Sequence, residues 1–249
     1  MIMFYFSGTG NSKYIAELFS QQMNASCHSI EEAIDFKQLI NSKETIGFCY
    51  PIYGSRVPKI MREFVIENME YLESKKIIIF CTQWLFSGDG ARAFTDIFPP
   101  DFIQVIYAEH FLMPNNINNV PLLPAANERK LRKYRLRSKR KMRIVCENIK
   151  NKKIKKRGFN PASKILGLIQ GSTMPAIEQK ASDKLWIDKD CNNCQKCVHI
   201  CPMKNFESQD EQIQTKNNCI LCYRCINQCP QKAITIVSKK KIKKQYKGI

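Results

Sequence analysis

Two copies of one cysteine pattern near the end of the chain limit its fold more than any other feature of the sequence. Each copy has four cysteines separated by two, two and three residues, with a proline after the fourth, and the copies are Cys191, Cys194, Cys197, Cys201 and Pro202, then Cys219, Cys222, Cys225, Cys229 and Pro230. A segment of this size is too small to be held together by apolar burial alone. We therefore predict that an inorganic group cross-links it.

The spacing indicates which inorganic group these cysteines bind. Four thiolates hold a cubane of iron and sulfide, and in this spacing the first three bind one cluster while the fourth reaches the neighbouring cluster. The prediction is two 4Fe–4S clusters, with the ligand sets Cys191, Cys194, Cys197 and Cys229, and Cys219, Cys222, Cys225 and Cys201. A zinc site or a disulfide scaffold is the alternative, although zinc sites usually show two cysteine pairs separated by a longer loop.

A short loop near the start of the chain has the composition of a phosphate site. Residues 7–12 read Ser-Gly-Thr-Gly-Asn-Ser and lie between a predicted buried strand and the start of a predicted helix. Such a loop lets backbone amides, hydroxyls and a helix N-terminus approach an anion. Neither the dinucleotide GxGxxG pattern nor a P-loop is present. We predict a phosphomonoester site that uses Ser7, Thr9, Gly10, Asn11 and Ser12, and the alternative is a plain glycine turn with a helix cap.

The first part of the chain alternates short β-rich runs with helical patterns. Strands are predicted over 2–7, 25–30, 45–50, 76–82 and 103–112, and helices over 12–23, 32–40, 57–69, 90–98 and 126–150. The run Ile77-Ile78-Ile79-Phe80 is typical of a strand buried on both faces. This rhythm predicts a doubly wound α/β domain with a parallel sheet of five strands.

The cysteine-rich segment resembles a bacterial two-cluster ferredoxin over about residues 186–237, which implies a small α+β domain. One difference is that bulkier pairs, Asn192-Asn193, Gln195-Lys196 and Ile220-Leu221, stand where small residues are often found between the first cysteines. Such neighbours change solvent access and amide hydrogen bonding at a cluster, and both set its reduction potential.

The phosphate loop resembles the FMN-binding loop of flavodoxins, whose pattern of Ser/Thr, any residue, Thr-Gly-Asn-Ser/Thr it matches at every position. In flavodoxins the flavin ring lies between the loops that follow the third and fourth strands. The resemblance therefore implies FMN contacts from Pro51, Tyr53, Gly54, Thr82 and Trp84, with Tyr53 and Trp84 stacking on the two ring faces. Tyr50 and Phe86 compete for those stacking roles, and packing in the core is the alternative for all of these aromatics.

Taken whole, the chain resembles the small flavodoxin–ferredoxin fusion proteins common in anaerobic bacteria and archaea. The expected division is a flavodoxin-like FMN domain over 1–150, a linker or covering segment over 151–184, a two-cluster ferredoxin domain over 185–237 and a basic tail over 238–249. The resemblance implies that electrons pass between the clusters and FMN within one chain, which would join one-electron and two-electron partners. We expect an electron carrier or the electron-input component of a larger oxidoreductase.

The net charge of +18 is confined to two segments. Residues 128–157 hold sixteen Lys/Arg against Glu128 and Glu147, and residues 238–249 hold six lysines and no acid. We favour a solvated basic face or a dock for an acidic redox partner. The alternatives are a redox-responsive nucleic-acid binder and a protein held at an anionic membrane surface.

The location of the protein is also predicted from the sequence. No run approaches the ~18 apolar residues of a membrane span, and the first residues lack the basic and apolar regions of a secretory signal. We therefore expect a cytoplasmic protein whose cysteines act as metal ligands rather than as disulfides.

Overall fold

The computed structural model describes residues 1–85, 88–117, 126–236 and 239–249. Its N-terminal part is an α/β domain with a parallel sheet, in the order β2-β1-β3-β4-β5-β6. The strands are β1 (Ile2–Tyr5), β2 (Ser26–Ser29), β3 (Thr45–Pro51), β4 (Lys76–Gln83), β5 (Gln104–Leu112) and β6 (Lys155–Lys156). The predicted fold class is confirmed, and the sheet has six strands where five were predicted. The sixth is only two residues long and pairs with Tyr107 and Ala108 of β5, so it carries no recognisable strand pattern.

Helices cover both faces of this sheet, as a doubly wound fold requires. They are α1 (Asn11–Met23), α2 (Phe36–Asn41), α3 (Lys59–Glu67) and α4 (Glu128–Lys150). Alternate residues of β1 point to opposite faces: Met3 packs with residues of α1 and α4, whereas Phe4 packs with α3. Because both faces are buried, the central strands read as continuous apolar runs.

Helix α4 is amphipathic, and it ends at Lys150 rather than continuing through the basic run to residue 157. Leu131, Met142 and Val145 are buried on its inner face. Ser138, which interrupts the apolar stripe, is also buried, and its hydroxyl lies 3.6 Å from Met113 Sδ. The basic side chains occupy the outer face, so most of the charge of this segment faces solvent.

Segment 151–184, predicted as a linker or covering segment, contains folded elements. After β6 it forms α5 (Pro161–Gly171) and α6 (Met174–Gln179). Gly167 lies within α5 without breaking it. Because it has no side chain, the helix can approach the loop after β4 closely. A Cβ at Gly167 would lie 1.6 Å from Asp89 Oδ1. Helix α5 therefore packs against the loops that follow β3 and β4.

The cysteine-rich part forms a small α+β unit. Its elements are β7 (Leu185–Ile187), α7 (Lys196–Ile200), β8 (Phe206–Gln209), β9 (Gln212–Thr215), α8 (Arg224–Gln228) and β10 (Ile234–Ile236). Strands β7 and β10 pair antiparallel, as do β8 and β9. Residues 239–249 fold back over this unit, and Ile242 and Tyr246 are buried. Val237 and Ser238, at the predicted boundary of the tail, lie outside the described residues.

A buried carboxylate joins β5 to the basic segments. Glu109 is 1% exposed, and its carboxylate oxygens lie 2.9 Å from Lys141 Nζ, 2.8 Å from Lys155 Nζ and 3.3 Å from Arg157 Nη1. Burial alone would raise the pKa of Glu109, but the cations and the His110 amide outweigh it and lower that pKa to about 2. Glu109 therefore stays ionised and anchors α4 and β6 to the sheet.

The variant Glu109→Gln is expected to lose about 3 kcal/mol of unfolding free energy at pH 7, the equivalent of the shift from an ordinary carboxyl pKa. Because the folded-state pKa is depressed, this stabilisation is present above the unfolded-state pKa and is lost as the pH falls toward 2. In urea unfolding, the difference in unfolding free energy between wild type and variant should thus become smaller below about pH 4.5. Glu44→Gln, at an exposed pair with Lys76, is the matched control. An equal effect of both variants would contradict the assignment.

Candidate functional site

The phosphate loop leads from β1 directly into α1. Ser7 Oγ accepts a hydrogen bond from the Gly10 amide at 3.0 Å, which closes the loop on itself. Gly10 has a φ of +100°, a left-handed conformation that suits glycine. No described side chain caps the first turn of α1. The free amides at this helix N-terminus are the groups that bind an anion.

The other polar groups of the loop are held by neighbouring strand ends. Ser12 Oγ lies 2.8 Å from Thr82 Oγ1 at the end of β4. Two residues of the loop after β5 also bind the phosphate loop. The Pro114 carbonyl oxygen accepts a hydrogen bond from Asn11 Nδ2, and Asn116 Nδ2 donates to Thr9 Oγ1, both at 3.0 Å. The carboxyl ends of the parallel strands therefore converge on one loop, as expected for a site in an open α/β sheet.

A cavity of about 320 Å³ opens beside this loop. Nine of the ten residues expected to bind the flavin line it, namely Ser7, Thr9, Asn11, Ser12, Pro51, Tyr53, Gly54, Thr82 and Trp84. Gly10 instead lines a second cavity on the other side of the loop. Tyr50 is fully buried and donates to the Gly90 carbonyl oxygen at 3.0 Å, so it is a core residue. Phe86 lies outside the described residues.

The lining of this cavity fits FMN. One end carries the hydroxyls and amides of the phosphate loop, and the rest is lined mainly by apolar and aromatic side chains. Sites for cofactors have this combination of apolar walls and a few converging polar groups. When bound, FMN would supply a group that accepts one or two electrons. The loop would hold its phosphate, and Tyr53 and Trp84 would border its ring.

Part of the cavity wall was not predicted from the sequence. Met174 and Ile177 come from α6, and Leu221 and Tyr223 come from the cysteine-rich unit. Leu221 stands between two cysteines at one of the bulky positions noted above, and Tyr223 follows Cys222 directly. Their size is thus used to close the flavin cavity. No pattern within the cysteine repeat indicated that this loop would meet the first domain.

The eight cysteines of the repeat divide between two small cavities. The cysteines around the first cavity, here called the outer set, are Cys191, Cys194, Cys197 and Cys229. The cysteines around the second cavity, here called the inner set, are Cys201, Cys219, Cys222 and Cys225. Each set takes three cysteines from one copy of the repeat and the fourth from the other copy, which is the grouping expected from the spacing.

Backbone amides point at the sulfurs of both sets. The amides of Asn205, Leu221 and Ala233 donate to the Sγ atoms of Cys201, Cys219 and Cys229 at 3.3, 3.5 and 3.4 Å. The loops between the cysteines also take left-handed conformations at non-glycine residues, at Asn193 and Gln195 in one copy and at Leu221 and Tyr223 in the other. Backbone strain of this kind gathers at binding sites.

The cysteines of the inner set are partly or fully buried, and Cys222 is the most buried of them. Burial raises the pKa of Cys219 to about 11 and that of Cys222 to about 12. A bound cation is what lets such thiols stay ionised. Among the described residues, no three His, Cys, Asp or Glu side chains gather closely enough to hold a single metal ion. The donor set of each cavity, four thiols with amide-to-sulfur bonds, fits an iron–sulfur cluster.

The inner set lies against the phosphate loop. A Cβ at Gly8 would be 2.4 Å from the Cys222 carbonyl oxygen, so only glycine allows this approach. Arg224, 15% exposed, fastens the same contact: its guanidinium donates to the Ser7, Gly8 and Ile200 carbonyl oxygens at 2.9, 3.2 and 3.0 Å. It also forms a bidentate pair with Glu31 at 2.6 Å. No pattern in the sequence predicted this role for Arg224.

The last residues form a C-terminal strap, residues 239–249, between the two parts of the chain. Gln245 Nε2 donates to the Cys229 carbonyl oxygen at 2.6 Å, and the Tyr246 amide donates to Asn227 Oδ1 at 2.7 Å. The Tyr246 hydroxyl then donates to Asn11 Oδ1 at 2.5 Å, in the phosphate loop. Several strap lysines remain exposed, but its backbone is bound and does not form a free tail.

Tyr246→Phe removes the hydrogen bond from the Tyr246 hydroxyl to Asn11 Oδ1 in the phosphate loop. It is expected to weaken FMN binding about fivefold, which corresponds to one hydrogen bond of about 1 kcal/mol. Titration of flavin-free protein with FMN, followed by flavin fluorescence, measures the effect. Tyr71→Phe, in the 3₁₀ helix Met69–Leu72 at the opposite end of the strands, is the control and should bind normally. Unchanged affinity in Tyr246→Phe would show that the strap does not position Asn11.

Fold and site together define an electron-transfer protein with a flavin-binding α/β domain and an iron–sulfur unit. A family model described as a flavodoxin domain matches residues 2–156, and one described as a 4Fe-4S dicluster domain matches residues 190–234. The chain belongs to the flavodoxin domain family and is a flavodoxin–ferredoxin fusion. Its cofactors are iron–sulfur clusters and a flavin, and its role is electron transfer.

Several solved structures similar to the chain are described as flavodoxins or flavoproteins. The two-electron reduced flavodoxin of Megasphaera elsdenii is 22% identical, covers 44% of this chain and 85% of its own, and has a TM-score of 0.38. General stress protein 14 of Treponema denticola, in complex with FMN, is 14% identical, with coverages of 59% and 97% and a TM-score of 0.40. No curated protein matches the chain.

These findings do not favour the nucleic-acid and membrane-surface alternatives. Both matched domains are redox domains. Within the part of the chain that the structure describes, no helix combines the length and apolarity needed to cross a membrane.

Proposed function

We propose that the chain passes electrons between two 4Fe–4S clusters and one FMN. The outer set would hold one cluster, the inner set the other, and the cavity beside residues 7–12 the flavin. The observation that carries the proposal is the shared wall: Leu221 and Tyr223, which flank the inner ligand Cys222, also line the flavin cavity. The inner cluster would thus be the neighbour of the flavin.

The order of the outer set, the inner set and the flavin cavity supports a route for the electrons. The outer set borders solvent, since Cys194 is exposed, whereas Cys222 is buried against the phosphate loop. Electrons would enter or leave at the outer cluster and at the flavin, with the inner cluster between them. Clusters carry single electrons and a flavin holds one or two, so this chain would join one-electron and two-electron partners. We infer that it serves as a carrier or as the electron-input component of an oxidoreductase.

The arrangement also supports a division of the chain that differs from a simple linker and tail. We propose that 151–184 completes the flavin domain, because α6 lines its cavity, and that the C-terminal strap locks the two domains together. The exposed basic face of α4 supports an acidic protein as redox partner. The free thiols support a reducing compartment such as the cytoplasm.

Cofactor analysis tests the proposal. Anaerobically reconstituted protein should contain iron and sulfide for two clusters and one FMN per chain, and Cys225→Ala should lose about half of the iron while it keeps the flavin. Cys146→Ala, at a buried cysteine of α4 outside both sets, is the control and should keep all cofactors. Zinc in place of iron, or iron for a single cluster in the wild type, would contradict the proposal.

A further inference from the structure

Five buried side-chain polar atoms in the described part of the chain have no hydrogen-bond partner: Tyr14 OH, Ser20 Oγ, Tyr53 OH, His110 Nε2 and Asn205 Nδ2. A buried donor without an acceptor costs about 1–3 kcal/mol, so such groups usually serve a bound species. Two of the five, Tyr53 and Asn205, belong to residues beside the inner set. None of the five belongs to a residue that lines the cavity of the outer set.

Tyr53 stands between the flavin cavity and the inner set. It lies in the loop after β3, where an antiparallel bridge to Arg56 fixes its backbone. Tyr53 lines the flavin cavity and, like Cys201, packs against a buried cluster that includes Cys222. Burial raises the pKa of Tyr53 well above its ordinary value, and the neighbouring Cys222 thiol raises it further. A tyrosine hydroxyl is a hydrogen-bond donor, and among the described residues this one has no acceptor.

Asn205 borders the inner set directly. It is 1% exposed and lines the cavity of that set, and its backbone amide donates to Cys201 Sγ. Its side-chain oxygen accepts hydrogen bonds from the Asn218 amide at 2.6 Å and the Ser182 hydroxyl at 3.3 Å. These two donors fix the orientation of the amide group, so the unpartnered atom is the NH₂ donor.

We propose that the Tyr53 hydroxyl and the Asn205 side-chain amide donate hydrogen bonds to the sulfur atoms of the inner cluster and raise its reduction potential. The inference rests on the proposed function, since it requires a cluster at the inner set. Reduction adds negative charge to a cluster, and donors at its sulfurs stabilise that charge. Tyr53 belongs to the flavodoxin domain, so the inner cluster would acquire its potential only when the two domains are docked.

Tyr53→Phe is the direct test because it removes one unpartnered hydroxyl and keeps the ring. In a redox titration of the fully loaded protein followed by electron paramagnetic resonance, one cluster should become about tenfold harder to reduce, a shift of about 59 mV for a one-electron couple. The other cluster should not change. Tyr14→Phe removes another buried, unpartnered hydroxyl, which packs on the α1 side of the sheet. It should leave both clusters unchanged.

A second variant tests the other donor. Asn205→Asp keeps the oxygen that accepts from Asn218 and loses the amide donor, so it should lower the potential of the same cluster that Tyr53→Phe affects. Unchanged cluster potentials in Tyr53→Phe, or a shift in the flavin alone, would overturn the inference while leaving the proposed function intact. A wild-type protein without a cluster at the inner set would overturn both.

Discussion

Replacing Cys222 by alanine is expected to stop electron exchange between the clusters and the flavin while FMN binding remains. Cys222 is the inner ligand closest to the flavin domain, since its carbonyl oxygen meets Gly8 and its neighbours Leu221 and Tyr223 line the flavin cavity. Without the inner cluster, electrons would have to reach the flavin by encounters between molecules. The rate should fall by about 100-fold or more, the margin that separates an intramolecular from a diffusional step.

The matched variant is Cys194→Ala, which removes an exposed ligand of the outer set. Both variants should lose about half of the iron, but only Cys222→Ala should lose exchange with the flavin. Anaerobic photoreduction, with cluster and flavin absorbance followed together, separates the two. Equal exchange in both variants would mean that the inner cluster is not the neighbour of the flavin.

Arg224→Ala is expected to have the largest effect on stability outside the cysteines. The guanidinium joins the two domains through three carbonyl oxygens and the Glu31 carboxylate, and it lies 5.9 Å from the ring centre of Phe6. Its removal leaves three carbonyl oxygens and the partly exposed Glu31 carboxylate without their donor, and at about 1 kcal/mol for each lost hydrogen bond the cost is about 3 kcal/mol or more. The thermal midpoint should fall by about 6–12 °C for a chain of this size.

The conservative variant Arg224→Lys separates charge from geometry. A lysine keeps the positive charge near Glu31 but lacks the planar fork that reaches several acceptors at once. It should recover less than half of the loss, as measured by thermal unfolding of the fully loaded protein. Full recovery with lysine would show that the guanidinium geometry is not needed. An unchanged midpoint in Arg224→Ala would show that the domain contact contributes little to stability.

The sequence was sufficient to predict residue positions where the chemistry of ligation or the topology of the sheet determines the spacing between residues. Ligation of a cubane demands thiols at short, regular intervals, so the repeat indicated how the cysteines divide between the two cavities. Parallel strands end at one edge, so the loops after β1, β3 and β4 had to meet. The resemblance to flavodoxins singled out Tyr53 and Trp84, and the shared edge explains why both line one cavity.

The contact between the domains could not be predicted, because it depends on surfaces that only the folded chain brings together. Arg224 lies between the ligands Cys222 and Cys225, and Tyr246 lies in a lysine-rich stretch. No pattern at either position points to its partners Ser7, Glu31 and Asn11, which lie about 200 residues away in the sequence. Helix α5 was missed because it contains two glycines, which are normally breakers, whereas the structure uses Gly167 for close packing on Asp89.

The direct test of the central claim is the kinetic order of electron exchange inside the fully loaded protein. A brief flash with a deazaflavin photosensitiser, under anaerobic conditions, adds one electron to a cofactor and lets the cofactors equilibrate. The shared wall between the inner cluster and the flavin predicts a first-order rate that does not change when the protein is diluted tenfold. A rate that falls in proportion to protein concentration would show that the cofactors exchange electrons only between molecules.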